Sequence, residues 1–221
     1  MIVIGICGLP AGGKSTVAET LQQLGAVWIN ADQIAHRVLD VAEVKAQIVM
    51  RFGTTILQPD GKIDRPRLGA IVFGDDASAR AALRYLESVV HPPTRTMMIQ
   101  AIAAALQADA AAVVLDVPLL LESQWDLWCD EIWYVETAES IRLAAATRRG
   151  WTTETLERRT ARQMHPDEKR RLSTRQIANQ GSLEQLRAQV AAEWQQLCQR
   201  EPSGTATRHC RDRLLAAESR G

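Results

Sequence analysis

Short, uninterrupted apolar runs alternate along the chain with longer stretches in which apolar residues recur every three or four positions. That alternation predicts buried strands separated by helices. Residues 2–7, Ile2-Val3-Ile4-Gly5-Ile6-Cys7, have no polar face and read as a fully buried strand. After a glycine-rich turn, Val17, Ala18, Leu21 and Leu24 fall at helical spacing, and Gly25 stands where a helix ends. Val27-Trp28-Ile29 is a second strand running into Asn30-Ala31-Asp32. Strand, turn, helix and strand make a βαβ unit, so the pattern predicts an α/β fold with a parallel central sheet.

From Gln33 to about Leu106 the pattern is helical, and its punctuation predicts the breaks. Asp40 and Asp64 suit helix N-caps, Asp60-Gly61 a turn, Pro66 a first helical turn, and Pro92-Pro93 the end of a helix. Ala111 to Leu115, leading into Asp116, and Glu131 to Val135 are two further strands. The region between the second and third strands is therefore a helical insertion. Thr137 suits the cap of a helix reaching Arg149, Gln176-Ile177-Ala178 a last short strand, and Ser182 to Gln185 a capping box for a final helix to about Cys198. These boundaries predict one domain over residues 1–198, with an insertion at about 36–108, and a loosely ordered polar tail over 199–221.

Composition removes several classes. With 221 residues, 46% of them hydrophobic, the chain can build a sizeable core and is not disordered, collagen-like or a disulfide scaffold. Its 26 basic and 26 acidic residues cancel, leaving no global field for nucleic acid or an anionic membrane. The four cysteines show no C-x-x-C pair and no zinc-ligand spacing, and the first apolar run is too short to span a bilayer. Together these predict a cytoplasmic protein that binds neither nucleic acid nor membrane. Charge is nonetheless uneven: ten basic residues face four acidic ones between Arg142 and Arg175.

Three features carry chemistry. Gly8-Leu9-Pro10-Ala11-Gly12-Gly13-Lys14-Ser15 fits G-x-x-x-x-G-K-[ST] between a predicted strand and a predicted helix, the context a phosphate-binding loop requires. Its glycines let backbone N–H groups turn onto phosphate oxygens, Lys14 supplies a cation for the β- and γ-phosphates, and the Ser15 hydroxyl can hold Mg²⁺. Asp32, past the end of the second strand, is either a general base or the N-cap of the next helix. Asp116, ending the third strand, is either a metal-directed acid or a turn residue. The arginine-rich segment at about 142–172 is either a solvated face or a lid that brings cations over a transferred phosphoryl group.

Taken in order, these residues resemble the dephospho-CoA kinase family. The resemblance runs from about Ile2 to Leu197. It rests on the loop Gly8 to Thr16, on Asn30-Ala31-Asp32 with Ile34-Ala35-His36, and on Asp60-Gly61-Lys62-Ile63-Asp64-Arg65. His91-Pro92 with Arg95, and Asp116-Val117-Pro118-Leu119-Leu120-Leu121-Glu122, add to it. Arg142, Arg148, Arg159 with Gln163, Lys169 and Asn179-x-Gly181 complete the series. The resemblance implies a three-layer P-loop kinase fold with a parallel sheet, a helical substrate-binding insertion and an arginine-rich lid.

It also implies roles. Asp32 becomes the catalytic base, assisted by Lys14, Arg142 and Arg148. ATP would be bound by Gly8, Ala11, Gly12, Gly13, Lys14, Ser15 and Thr16, with Arg142, Arg148 and Asn179, the last toward adenine. The acceptor would meet Asp32, Arg65, His91, Arg95 and Asp116, and Mg²⁺ would meet Ser15 and Asp116. The implied reaction is ATP-dependent phosphorylation of the ribose 3′-hydroxyl of dephospho-CoA, with ATP and dephospho-CoA as partners and no obligate protein partner. Another small-molecule P-loop kinase, such as a nucleoside monophosphate kinase, is the alternative. The chain departs from the family pattern at Asn30, at Leu9-Pro10 and at Ser173-Thr174.

Overall fold

The computed structural model describes residues 1–74, 76–199 and 212–213, and the chain separates into two compact units. The first comprises residues 1–30 and the chain from Ile102 onward. Its centre is a five-stranded, wholly parallel sheet built from β1 (Ile2–Gly8), β2 (Val27–Asn30), β3 (Ala112–Asp116), β4 (Glu131–Thr137) and β5 (Arg175–Asn179), in the order β2-β3-β1-β4-β5. All five predicted strands are present, and their apolar runs are long because both faces of the sheet are covered.

One face carries α1 (Lys14–Gln23) and α9 (Leu183–Gln199). Ile4, Ile6, Val17, Leu21, Val114, Trp133, Val135, Ile177, Val190 and Trp194 close the core there. At roughly 1.5–3 kcal/mol for each fully buried large side chain, this layer is the main stabilising element of the unit. On the other face Gly5 admits its neighbours: a Cβ there would lie 2.5 Å from the Cys129 sulfur. The same face carries α8 (Pro166–Leu172), which packs on β1 and β4.

The register brings the carboxyl ends of the strands to one edge. Ile6 and Asn30 both pair with Asp116, Gly8 pairs with Val135, and Thr137 pairs with Asn179. Beyond this edge lie α6 (Glu139–Arg148) and α7 (Thr153–Thr160), which with α8 occupy most of the predicted lid. The predicted capping box of α9 is present in both directions: the Gln185 N–H donates to Ser182 Oγ, and the Ser182 N–H donates to Gln185 Oε1.

The second unit, residues 31–101, is helical: α2 (Ala31–Val38), α3 (Ala42–Phe52), α4 (Arg65–Val72) and most of α5 (Ala77–Gln107). Asp64 caps α4 as expected, accepting from the Arg67 N–H at 3.1 Å. Three expectations fail. Pro92-Pro93 does not end a helix, because α5 continues through it. Proline removes the backbone donors that would reach the Ser88 and Val89 carbonyls, but its fixed φ is compatible with a helix, and buried Val90, Met98 and Ile102 hold α5 on both sides of the pair. Asp40 does not cap α3, whose N-cap is Val41; its carboxylate takes the Ile63 N–H at 3.4 Å. Thr137 does not cap α6, whose N-cap is Ala138, because its hydroxyl is used by the phosphate loop.

Among the described residues no helix is long and apolar enough to cross a membrane. Cys7, Cys129 and Cys198 are free thiols. The expected polar tail over 199–221 lies outside the described residues, apart from Gln199, which closes α9, and Asp212 and Arg213.

Candidate active site

Residues 8–13 join β1 to α1, and the backbone shows why glycine is needed. Gly8 and Gly13 have φ of 150° and 83°; a Cβ on Gly8 would lie 2.8 Å from the Val135 carbonyl oxygen, and one on Gly13 2.7 Å from Asn179 Nδ2. Ala11 adopts φ 58° despite its side chain, a strain of the kind that functional loops retain. The loop is also tied from outside. Thr137 Oγ1 donates to the Gly12 carbonyl at 2.6 Å and Asn179 Nδ2 to the same oxygen at 3.3 Å. Arg142 Nε donates to the Pro10 carbonyl at 3.2 Å, and another of its nitrogens to the Thr160 hydroxyl at 3.0 Å.

Lys14 opens α1 and curls back over the loop, its ammonium donating to the carbonyls of Gly8 at 2.9 Å and Leu9 at 3.1 Å. Burial pushes its pKa down to about 8, against the pull of Asp116 and with added repulsion from Lys169 and Arg149. Lys14 therefore keeps most of its charge at neutral pH, held in a poorly solvated position where a phosphate chain would stabilise it strongly. Burial raises the pKa of neighbouring Cys7 to about 11, so its thiol is inert here.

Asp116 ends β3 and accepts from Asn30 Nδ2 at 3.2 Å. Asn30, one of the departures from the family pattern, thus serves as a donor to Asp116. The Ser15 side chain is exposed, on the first turn of α1 with Thr16. Among the described residues no cluster of three or more His, Cys, Asp or Glu side chains has metal-binding geometry. Ser15 and Asp116 still fit Mg²⁺, which binds through one or two protein oxygens and completes its shell with phosphates and water.

The arginine-rich segment divides. Arg142 is part-buried against the loop, and Arg149 lies within electrostatic reach of Lys14. Arg159 stacks on the Trp151 ring at 4.4 Å, and Arg149 faces the same ring at 5.5 Å. Arg148 is exposed and touches none of these groups. The α8 end is anchored: Lys169, 2% exposed, pairs with Glu122 at 3.0 Å and bonds Gln163 Oε1 at 2.9 Å, while Glu122 also accepts the Met164 N–H. The segment is therefore not a uniformly solvated face. The Ser173-Thr174 departure lies at the amino edge of the sheet, where the Thr174 N–H bonds the Ile132 carbonyl, far along β5 from Asn179. Thr137, Arg149 and the Glu122–Lys169 pair are the contributors that residue patterns alone did not assign.

Within the second unit, Asp32 is the second residue of α2, not its cap, and its exposed carboxylate makes no hydrogen bond among the described residues. Arg65 opens α4 and lines a cavity with His36, Arg37 and Lys62. His91 and Arg95 are exposed one turn apart on α5 and do not line that cavity.

A parallel sheet in the order 2-3-1-4-5, a phosphate loop at the end of its central strand and an acid on the adjacent strand define a P-loop kinase. Residues 2–185 match the dephospho-CoA kinase family model, and the chain belongs to that family. It is 44% identical to the dephospho-CoA kinase of Rhodopirellula baltica over 86% of this chain and 88% of that protein. To the Symbiobacterium thermophilum dephospho-CoA kinase it is again 44% identical, over 90% and 82%. The solved dephospho-CoA kinase of Campylobacter jejuni superposes with a TM-score of 0.67 at 27% identity, covering 89% of this chain and 96% of that one.

Proposed function

We propose that the protein transfers the γ-phosphoryl group of ATP to the ribose 3′-hydroxyl of dephospho-CoA, giving coenzyme A and ADP in the cytoplasm. The observation that carries this reading is the reach of the family match, which continues through the helical second unit rather than stopping at the phosphate loop. A phosphate loop alone would identify only a nucleotide.

The residues divide the work. Backbone N–H groups of the loop and the N-terminus of α1 hold the phosphates, and Lys14 neutralises charge on the β- and γ-groups. Arg142, already fixed to the loop carbonyl, and Arg149 add positive charge as the phosphoryl group is transferred. Asp32 accepts the proton of the attacking hydroxyl, for which its unengaged carboxylate is suited. Ser15 and Asp116 would hold Mg²⁺, which when bound draws charge from the phosphate oxygens. Asn179 and Thr137 fix the loop from which the phosphates hang.

The test is ADP release measured with Mg-ATP and a panel of acceptors. Dephospho-CoA is expected to be turned over far faster than AMP or other nucleoside monophosphates. Preference for a nucleoside monophosphate would overturn the assignment.

A further inference from the structure

The turn between α6 and α7 places one aromatic ring where the phosphate loop and two arginines meet. Gly150, at φ 71°, follows α6 in the left-handed conformation; its N–H bonds the Thr147 carbonyl at 2.9 Å, and the Trp151 N–H bonds the Ala146 carbonyl at 3.0 Å. This pair of bonds is the helix ending in which the residue after the glycine folds back onto the last turn. Trp151 accordingly packs on a small buried cluster of Ala146, Leu156 from α7 and Ala11 from the phosphate loop, the residue held at φ 58°. Thr152 then caps α7, accepting from the Thr155 N–H at 3.2 Å, so the ring is fixed between two helix ends.

Two cations sit against that ring. The guanidinium of Arg159, from the last turn of α7, lies 4.4 Å from the ring centroid, and that of Arg149, the C-cap of α6, lies 5.5 Å from it. Both residues are exposed, and among the described residues neither guanidinium makes a hydrogen bond or an ion pair. Two like charges on long exposed side chains would otherwise move apart, and the indole is the one group the fold sets against both. A carboxylate could hold them too, but it would cancel the charge that a phosphate needs. An aromatic face leaves that charge intact and keeps the N–H donors at the guanidinium edge free for phosphate oxygens. Arg149 is in addition within electrostatic reach of Lys14.

We propose that Trp151 is a positioning residue for phosphoryl transfer, its ring holding Arg149 and Arg159 beside the phosphate loop with their N–H edges open to the phosphate chain. The inference rests on the reading given above, in which cations from this segment act on the transferred group. Such cations contribute most when their places are set before the reaction, so that none must reorganise as charge develops. The ring has a second function in the same place, because it covers Ala11 and so ties the position of the arginines to that of the loop.

The experiment compares wild type with Trp151→Leu and Trp151→Phe, each also in an Arg149→Ala, Arg159→Ala background, using Mg-ATP and dephospho-CoA and with thermal melts alongside. Leucine keeps an apolar body on Ala146 and Leu156 but has no aromatic face, whereas phenylalanine keeps both. Trp151→Leu is expected to lower kcat roughly 10–100-fold, the scale on which misplacing a catalytic group is felt, with KM for dephospho-CoA moving less than about twofold. Phenylalanine should recover most of the loss. In the background without the two arginines, Trp151→Leu should cost less than about twofold further, because the ring acts through them. A phenylalanine variant no better than leucine overturns the proposal, as does an equal loss with and without the arginines or a leucine variant within twofold of wild type. So does a melting temperature lowered by more than about 10 °C in Trp151→Leu, because lost packing would then account for the kinetics. Wild-type protein that does not phosphorylate dephospho-CoA at all defeats the functional reading itself, a result distinct from each of these.

Discussion

The two units present their functional side chains in opposite ways. Around the phosphate loop nearly every group is already committed. Lys14 bonds two loop carbonyls, Arg142 bonds a third, Thr137 and Asn179 share a fourth, and Lys169 is sealed against Glu122. In the helical unit Asp32, His36, Arg37 and Arg65 stand exposed with no protein partner among the described residues. The phosphate-loop side chains are thus held by the fold, whereas these side chains of the helical unit are left without protein partners. Pre-organisation of this kind lowers the cost of holding a highly charged chain. The contrast also separates stability from chemistry: side chains of the first group should matter to both, and those of the second to chemistry alone.

The sharpest challenge to that contrast is Asp32→Asn. Asparagine keeps the size of the side chain but cannot take the hydroxyl proton, so turnover should fall by roughly 10²–10⁴-fold while ATP affinity holds. The melting temperature should move by no more than a few degrees, because the carboxylate makes no hydrogen bond among the described residues and supports the fold only through the N-terminal dipole of α2. Turnover within a few-fold of wild type at saturating substrates would remove Asp32 from the mechanism. Lys14→Ala should lower kcat by about 10²–10³-fold, as expected when one donor to a developing charge is lost. ATP affinity falls with it, unlike in the aspartate variant, and steady-state kinetics distinguishes the two.

A third change acts on stability. Glu122→Gln leaves Lys169 charged, almost fully buried and without its counter-ion, and breaking such a pair costs about 3–5 kcal/mol. Chemical denaturation should show this loss, and a value within about 0.5 kcal/mol of wild type would mean the pair is not an anchor for α8. The smallest effect concerns pH. Because burial lowers the Lys14 pKa to about 8, the empty site loses its ammonium as pH rises through that value. ATP binding then requires uptake of a proton, so affinity should weaken above pH 8 by at most about tenfold per pH unit and be flat below it as far as this group is concerned. For the empty protein the sign is reversed. The folded state holds this proton less tightly than the unfolded chain, so stability from Lys14 increases between pH 8 and its ordinary value of 10.5. Calorimetric titration of ATP across this range, beside thermal melts, checks both directions.

Much of this was legible in the chain because local rules and tertiary demands agree. The Ile2 to Cys7 run had to be a central strand, and the glycines with Lys14 had to form a loop between strand and helix. Asp64 and Ser182 cap helices because their other contacts are local and leave an oxygen for the cap: the Arg67 side chain takes the second Asp64 oxygen. Where competition exists, local reading fails. Thr137 looks like a cap but serves the Gly12 carbonyl, and Asp40 looks like a cap but serves Ile63, partners 125 and 23 residues away. Pro92-Pro93 looks like a stop, but α5 runs through it because buried side chains on both sides, Val90 before it and Met98 and Ile102 after it, hold the helix. In the candidate site, the sequence marks Lys14, Asp116 and Arg142 through motif and order. Arg149 and the Glu122–Lys169 pair depend on how α6 and α8 lie against the sheet, which no spacing along the chain expresses.

The most direct measurement is the structure of the product. Purified protein incubated with Mg-ATP and dephospho-CoA is analysed by mass spectrometry and by phosphorus-detected NMR. The account predicts one added phosphate, coupled to the ribose proton at the 3′ position, with equimolar ADP. No phosphorylated product under conditions where AMP is readily converted, or a phosphate at any other hydroxyl, would contradict it.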